Sequence, residues 1–209
     1  EMVGILEKAR HTADRLLALE IIILVLHEAM EAFQYADDSD GEIGGLASDC
    51  IEVMENLVLA EKKSDSSITL KLFNRLLEDS NDHAYEGWEE FTIDILRLCA
   101  EIADTEASQV LLRARVMAYL DKSDTDGFST YYAAPLLQIL HRLIVVYGTD
   151  AEALQFEEEN STHASFREML IERAKKENNF EKVIALAIDG EKQDDYYSGR
   201  KPKWKEIRY

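Results

Sequence analysis

Leu16-Leu17-Ala18-Leu19-Glu20-Ile21-Ile22-Ile23-Leu24-Val25-Leu26-His27-Glu28-Ala29-Met30-Glu31-Ala32-Phe33 carries apolar side chains around more than one face of a 3.6-residue helix. Such a helix has to be packed on several sides, so it marks the centre of a helical core rather than its rim. We read it as a helix over roughly 12–35 with Thr12 as N-cap, since a hydroxyl there can accept from a free N–H of the first turn. Its longest apolar run, Ile21 to Leu26, is bounded by Glu20 and falls well short of the ~20 residues that span a bilayer.

Working outward, Leu46 to Leu59 sets Leu46, Cys50, Val53, Met54 and Leu57 at spacings of three and four, with Asp49, Glu52 and Glu55 on the other side. That is an amphipathic helix with one buried stripe. Further helical segments read as Ile68 to Glu78, Trp88 to Ala103, Glu106 to Leu120, Tyr131 to Tyr147, Ala151 to Glu158, Ala164 to Lys176, Phe180 to Glu191, and a last one from Pro202. Breaks fall on dense turn chemistry at Asp37-Asp38-Ser39-Asp40-Gly41, Asn81-Asp82-His83, Ser123-Asp124-Thr125-Asp126-Gly127 and Gly148. No stretch alternates with β-branched and aromatic enrichment. The expectation is an all-α chain of about ten helices, forming a single domain over 1–209: a right-handed α-α superhelix of antiparallel helical hairpins with degenerate, tetratricopeptide-like repeats.

The chain has 209 residues, 46% of them hydrophobic, and only two prolines, which leaves ample core material and few helix breaks. Its net charge of −19 opposes attraction to phosphate backbones and anionic membranes, so neither nucleic acid nor membrane is expected as a direct partner. Cys50 and Cys99 stand alone, without a Cys-x-x-Cys site or a disulfide framework, and fit a reducing cytoplasm. Glu1 is not an initiator Met and Tyr209 ends inside a helical pattern, so both ends read as boundaries of an excision from a longer chain.

No motif for chemistry is complete in the chain. Setting Gly41 or Gly127 at position six of a calcium loop puts Ala36 or Lys122 at the first ligand position and Ala47 or Ala133 at the twelfth, where a bidentate Glu is needed. His27-Glu28-Ala29-Met30-Glu31 lacks the second histidine of a zinc-protease helix, and no histidine has Glu three residues before it, as a di-iron bundle requires. Phosphate loops, dinucleotide turns and nucleophile elbows do not occur. Neither cofactor nor metal is expected, and no residue is singled out as catalytic. Tyr85-Glu86-Gly87-Trp88 and Tyr131-Tyr132 stand at helix starts where side chains can border a groove, so Tyr85, Trp88, Tyr131 and Tyr132 are the candidate partner-binding residues. Core packing is the competing role for each.

The residues also carry a resemblance. Tyr131-Tyr132-Ala133-Ala134-Pro135-Leu136-Leu137, Ser165-Phe166-Arg167-Glu168, Phe180-Glu181-Lys182-Val183-Ile184, Asp189-Gly190-Glu191-Lys192-Gln193-Asp194, Trp204-Lys205 and Arg208-Tyr209 resemble the C-terminal helical region of bacterial proteins of unknown function with a SWIM-type zinc finger. Asp40-Gly41-Glu42-Ile43-Gly44 and Tyr85-Glu86-Gly87-Trp88 look like the same pattern. The resemblance implies a tetratricopeptide-like region without assigned activity, lying after a finger that contacts nucleic acid or protein. That finger's Cys and His ligands are not among these residues, so no zinc site carries over.

The functional expectation is a non-catalytic protein-interaction scaffold or spacer with a protein partner of unknown identity, because stacked hairpins offer a long surface. An enzyme using a carboxylate pair in an acidic helical cleft is the alternative. The basic run from Arg200 to Arg208 is expected to close the fold, with Trp204 packed on the Phe180 to Glu191 helix and its cations beside acidic neighbours.

Overall fold

The computed structural model describes residues 1–62, 66–123, 129–194 and 200–208, of which 66, 122, 123 and 129–131 are described by their backbone alone. The expected turn at Asp124 to Gly127, Gly199, Tyr209 and the Tyr131 side chain lie outside the described set. Among the described residues there are eleven α-helices, one short 3-10 turn and no strand. They gather into two compact units, Glu1–Gly127 and Phe128–Tyr209.

The first unit contains α1 (Met2–Arg10), α2 (Arg15–Ala32), α3 (Glu42–Glu61), α4 (Ser66–Asp79), the 3-10 turn His83–Tyr85, α5 (Glu89–Glu101) and α6 (Glu106–Ser123). Successive helices joined by short turns pack as hairpins, and α2 touches α1, α3, α4 and the 3-10 turn. The reading of α2 as a core helix holds over one broad arc, where Leu19, Ile22, Val25 and Leu26 are fully buried with Ala18 and Met30, but not all round, since Leu17 and Leu24 face solvent. Each such large side chain contributes about 1.5–3 kcal/mol on burial, so α2 organises the unit.

The start of α2 corrects one expectation. Asp14, not Thr12, is its N-cap, accepting from the N–H groups of Leu16 and Leu17, while the Thr12 hydroxyl donates back to the Lys8 carbonyl. The cause is α1, a helix the sequence reading did not assign, whose C-terminus occupies the region of Thr12. A carboxylate at the cap also suits the positive end of the helix better than a hydroxyl. The acidic turn before α3 behaves as turn chemistry: Asp38 accepts from Ile43 N–H and Gly44 N–H, and Asp37 accepts from the backbone and hydroxyl of Ser39. Gly41 makes the entry to α3 at φ 72°, a left-handed conformation that a side chain would strain.

The second unit contains α7 (Ser129–Tyr147), α8 (Asp150–Glu159), α9 (Ala164–Lys176), α10 (Phe180–Gln193) and α11 (Arg200–Arg208), each packed on its successor. Pro135 lies inside α7, where its ring removes one backbone donor. Thr149 and Glu152 form a reciprocal capping box at the start of α8, fixing the turn at Gly148.

The closing helix α11 follows the sequence reading. Trp204 is 0% exposed and lies against Gly190 of α10, where an added Cβ would come within 2.7 Å of the indole. Arg167 of α9 stacks over that ring at 5.3 Å, and the indole N–H donates to Asp194. Ile207 packs beside Trp204, while Lys203 pairs with Glu168 at 2.6 Å and Arg208 with Glu191 at 3.3 Å. Only a residue without a side chain could let α10 and α11 approach this closely, which is why a glycine stands in the last turn of α10.

Candidate interaction surface

Two buried polar clusters are the places where chemistry could reside. In the first unit, Asp79 at the end of α4 has a side chain 1% exposed. It accepts from the Tyr85 hydroxyl at 2.7 Å and the Arg75 guanidinium at 3.3 Å, with His27 Nε2 of α2 at 3.2 Å. The Asp79 carboxylate beside the ring holds the His27 pKa above its ordinary value against the opposing effect of burial. Arg75 in turn reaches Glu20 of α2 at 2.8 Å. These contacts tie α2, α4 and the 3-10 turn together.

In the second unit, Glu157 of α8 accepts two bonds from Arg173 of α9, at 2.6 and 3.1 Å, and approaches His141 Nε2 of α7 at 2.8 Å. The imidazole is boxed by Phe156 and Phe166. Arg173 also reaches the exposed Asp150. Glu157 is thus the polar joint of three helices. Each of these carboxylates has a cation at hand, which satisfies the requirement that buried charge be paired. Among the described residues, no three His, Cys, Asp or Glu side chains are arranged to hold a metal ion. No described helix is long and apolar enough to cross a membrane.

Of the aromatic candidates, Tyr85 and Trp88 belong to the first unit and Tyr132 to the second. Tyr85 is 2% exposed and belongs to the Asp79 cluster, so its role is structural: desolvation raises the phenol pKa and the hydroxyl keeps its proton. Trp88 precedes α5 and stacks on Phe33 at the end of α2, with ring centroids 4.3 Å apart. Half-buried, it seals a corner of the first unit. Tyr132 is half-buried on α7 in the other unit.

What the sequence reading passed over is the solvent face of α6. Leu112 and Val116 are fully buried and Ser108 joins them, defining the inward side. On the opposite side Ala107, Val110, Leu111, Ala114, Met117 and Ala118 are all exposed, Val110 at 58%, Leu111 at 50% and Met117 at 47%. Their spacing repeats three and four, so they make one apolar stripe about 17 Å long at ~1.5 Å per residue. A helix apolar on both sides is normally covered on both sides. Here one side is open.

The stripe had a signal in the sequence. Between Glu106 and Asp121 there is no carboxylate, in a chain with 42 Asp and Glu, and the only charges are Arg113 and Arg115. Arg115 points to the Ser80 hydroxyl at 3.4 Å, whereas Arg113 makes no ion pair with a described residue. Periodicity assigned the helix but did not flag its second apolar face, because burial of one face and openness of the other are decided by neighbours distant in sequence. Compared with family models, with curated proteins and with solved structures, the chain matches none of them.

Proposed function

We propose that this chain is a non-catalytic protein-interaction module whose binding surface is the open face of α6. The observation that carries the reading is the apolar stripe Val110, Leu111, Ala114 and Met117, free of carboxylates on a strongly acidic molecule. Apolar side chains held in a row on a packed helix bury area without losing much side-chain freedom, which is what partner helices exploit. The proposal includes the tetratricopeptide-like character and the association with a SWIM-type finger that the sequence resemblance implied. The buried carboxylates Asp79 and Glu157 support it in a different way, since each already serves as a joint between helices.

The test is capture from a lysate of the source cells on the immobilised full chain, beside a Val110→Glu/Met117→Glu variant. A protein bound by the wild type, lost with the variant and shown by calorimetry to bind when purified supports the reading. Identical capture by both forms excludes α6 as the surface.

A further inference from the structure

We propose that the open face of α6 seats an amphipathic helix of a partner protein whose apolar stripe is bordered by carboxylates. The inference rests on the reading of α6 as the binding surface and adds the chemistry of its occupant. Three observations select that chemistry. The stripe is helical in its spacing, about three turns long, and a helix laid against it at the usual 8–10 Å axial separation can match it turn for turn. Arginines border it: Arg113 beside Met117 and Val110 at one edge, and Arg115, whose guanidinium reaches Ser80, beside Leu111 at the other. Arg113 has no counter-ion among the described residues, so a carboxylate arriving with the partner would supply one.

A second copy of this chain fits the face poorly. Laying α6 on α6 sets Arg113 and Arg115 against their own copies and brings together two molecules of charge −19. Three turns also cover only on the order of 400 Å² per partner, about half of what a stable standard interface buries. The seat is therefore suited to a reversible contact with a short helical segment. At physiological salt the screening length is ~8 Å, so the arginines at the contact outweigh the more distant acidic surface.

The experiment uses the full chain and two fluorescent 18-residue helical peptides with the same leucine stripe, one flanked by glutamates and one by lysines. Anisotropy titrations at physiological salt read the affinities. The bulk charge of the protein favours the lysine peptide, so the comparison separates contact chemistry from the overall field. The expected result is tighter binding of the glutamate peptide by about 10-fold, the difference that one or two charge-assisted pairs produce. Arg113→Glu should cancel or reverse the preference, and Leu111→Glu should abolish binding of both peptides, with the far-ultraviolet circular dichroism unchanged because Leu111 is exposed and Arg113 is only half-buried. A preference for the lysine peptide, no binding of either, or an unaltered preference in Arg113→Glu overturns the inference, while loss of the cellular partner in Val110→Glu/Met117→Glu leaves the broader reading standing. Peroxide oxidation of the free protein adds a second measurement. Met117 should oxidise long before the buried Met30 and Met54, and protection of Met117 shows the face already covered and also overturns the inference.

Discussion

Trp204→Ala isolates the closing of the second unit. The indole is 0% exposed, and an aromatic of this size buries about 200 Å², worth ~5 kcal/mol at 25 cal/mol per Å². Its N–H also donates to Asp194, and it lies under the Arg167 guanidinium. Removing it opens a cavity beside Gly190 and leaves a buried arginine without its ring. The expected loss is about 3–5 kcal/mol, the usual range for emptying a large aromatic site. With a urea slope of ~1–3 kcal/mol per M, the midpoint for the second unit should fall by roughly 2 M, followed by circular dichroism of the full chain. Trp88 in the first unit then becomes the sole tryptophan, so its fluorescence reports that unit separately. Trp204→Phe serves as the control that keeps a ring and removes the donor to Asp194; it should cost about 1–3 kcal/mol, the worth of a bond to a charged group. A midpoint for Trp204→Ala within ~0.3 M of wild type, equivalent to less than 1 kcal/mol, would refute the docking of α11 on α10.

Three further outcomes follow from the buried groups. His27 has a folded-state pKa raised above 6.5 by Asp79, so its contribution to stability is fully present below that pH and is lost as pH rises through the folded value. The urea midpoint of the first unit should therefore decline between mildly acidic and alkaline pH less steeply in His27→Gln than in wild type, and parallel curves would count against the Asp79 contact. Glu157→Gln leaves Arg173 and His141 without the carboxylate between them and should destabilise the second unit by about 3 kcal/mol in urea unfolding, whereas no change would mean that the joint is solvated. Burial pushes the Cys50 thiol up to about 12 and the Cys99 thiol higher still, so neither should react with iodoacetamide at pH 8 in the native protein and both should react in denaturant. Rapid native labelling of either, read by mass spectrometry, contradicts its buried placement.

The linear sequence determined the elements from α2 onward. The apolar density of Leu16–Phe33, the three-and-four spacing of Leu46–Leu57 and the acidic, glycine-bearing turns are local patterns, and local patterns fix which segments are helical and which face of an amphipathic helix is inward. They also placed Trp204 and Ile207 on one side of a closing helix, because two residues three apart share a face regardless of what they touch. Tertiary structure decided everything that needed a second segment. Thr12 gave way to Asp14 once α1 was in place. For Tyr85, where partner binding and core packing competed, Asp79, six residues earlier, offers the hydroxyl a buried acceptor and the side chain is in the core. Trp88 found Phe33 across the end of α2, a partner 55 positions away. The α6 stripe was written in the chain as an interval without carboxylates, yet only packing against α4 and α5 chose which of its two apolar sides to bury. Periodicity gives the faces of a helix; it is the competition among neighbours for apolar surface that assigns one face to the core and leaves the other open to a partner.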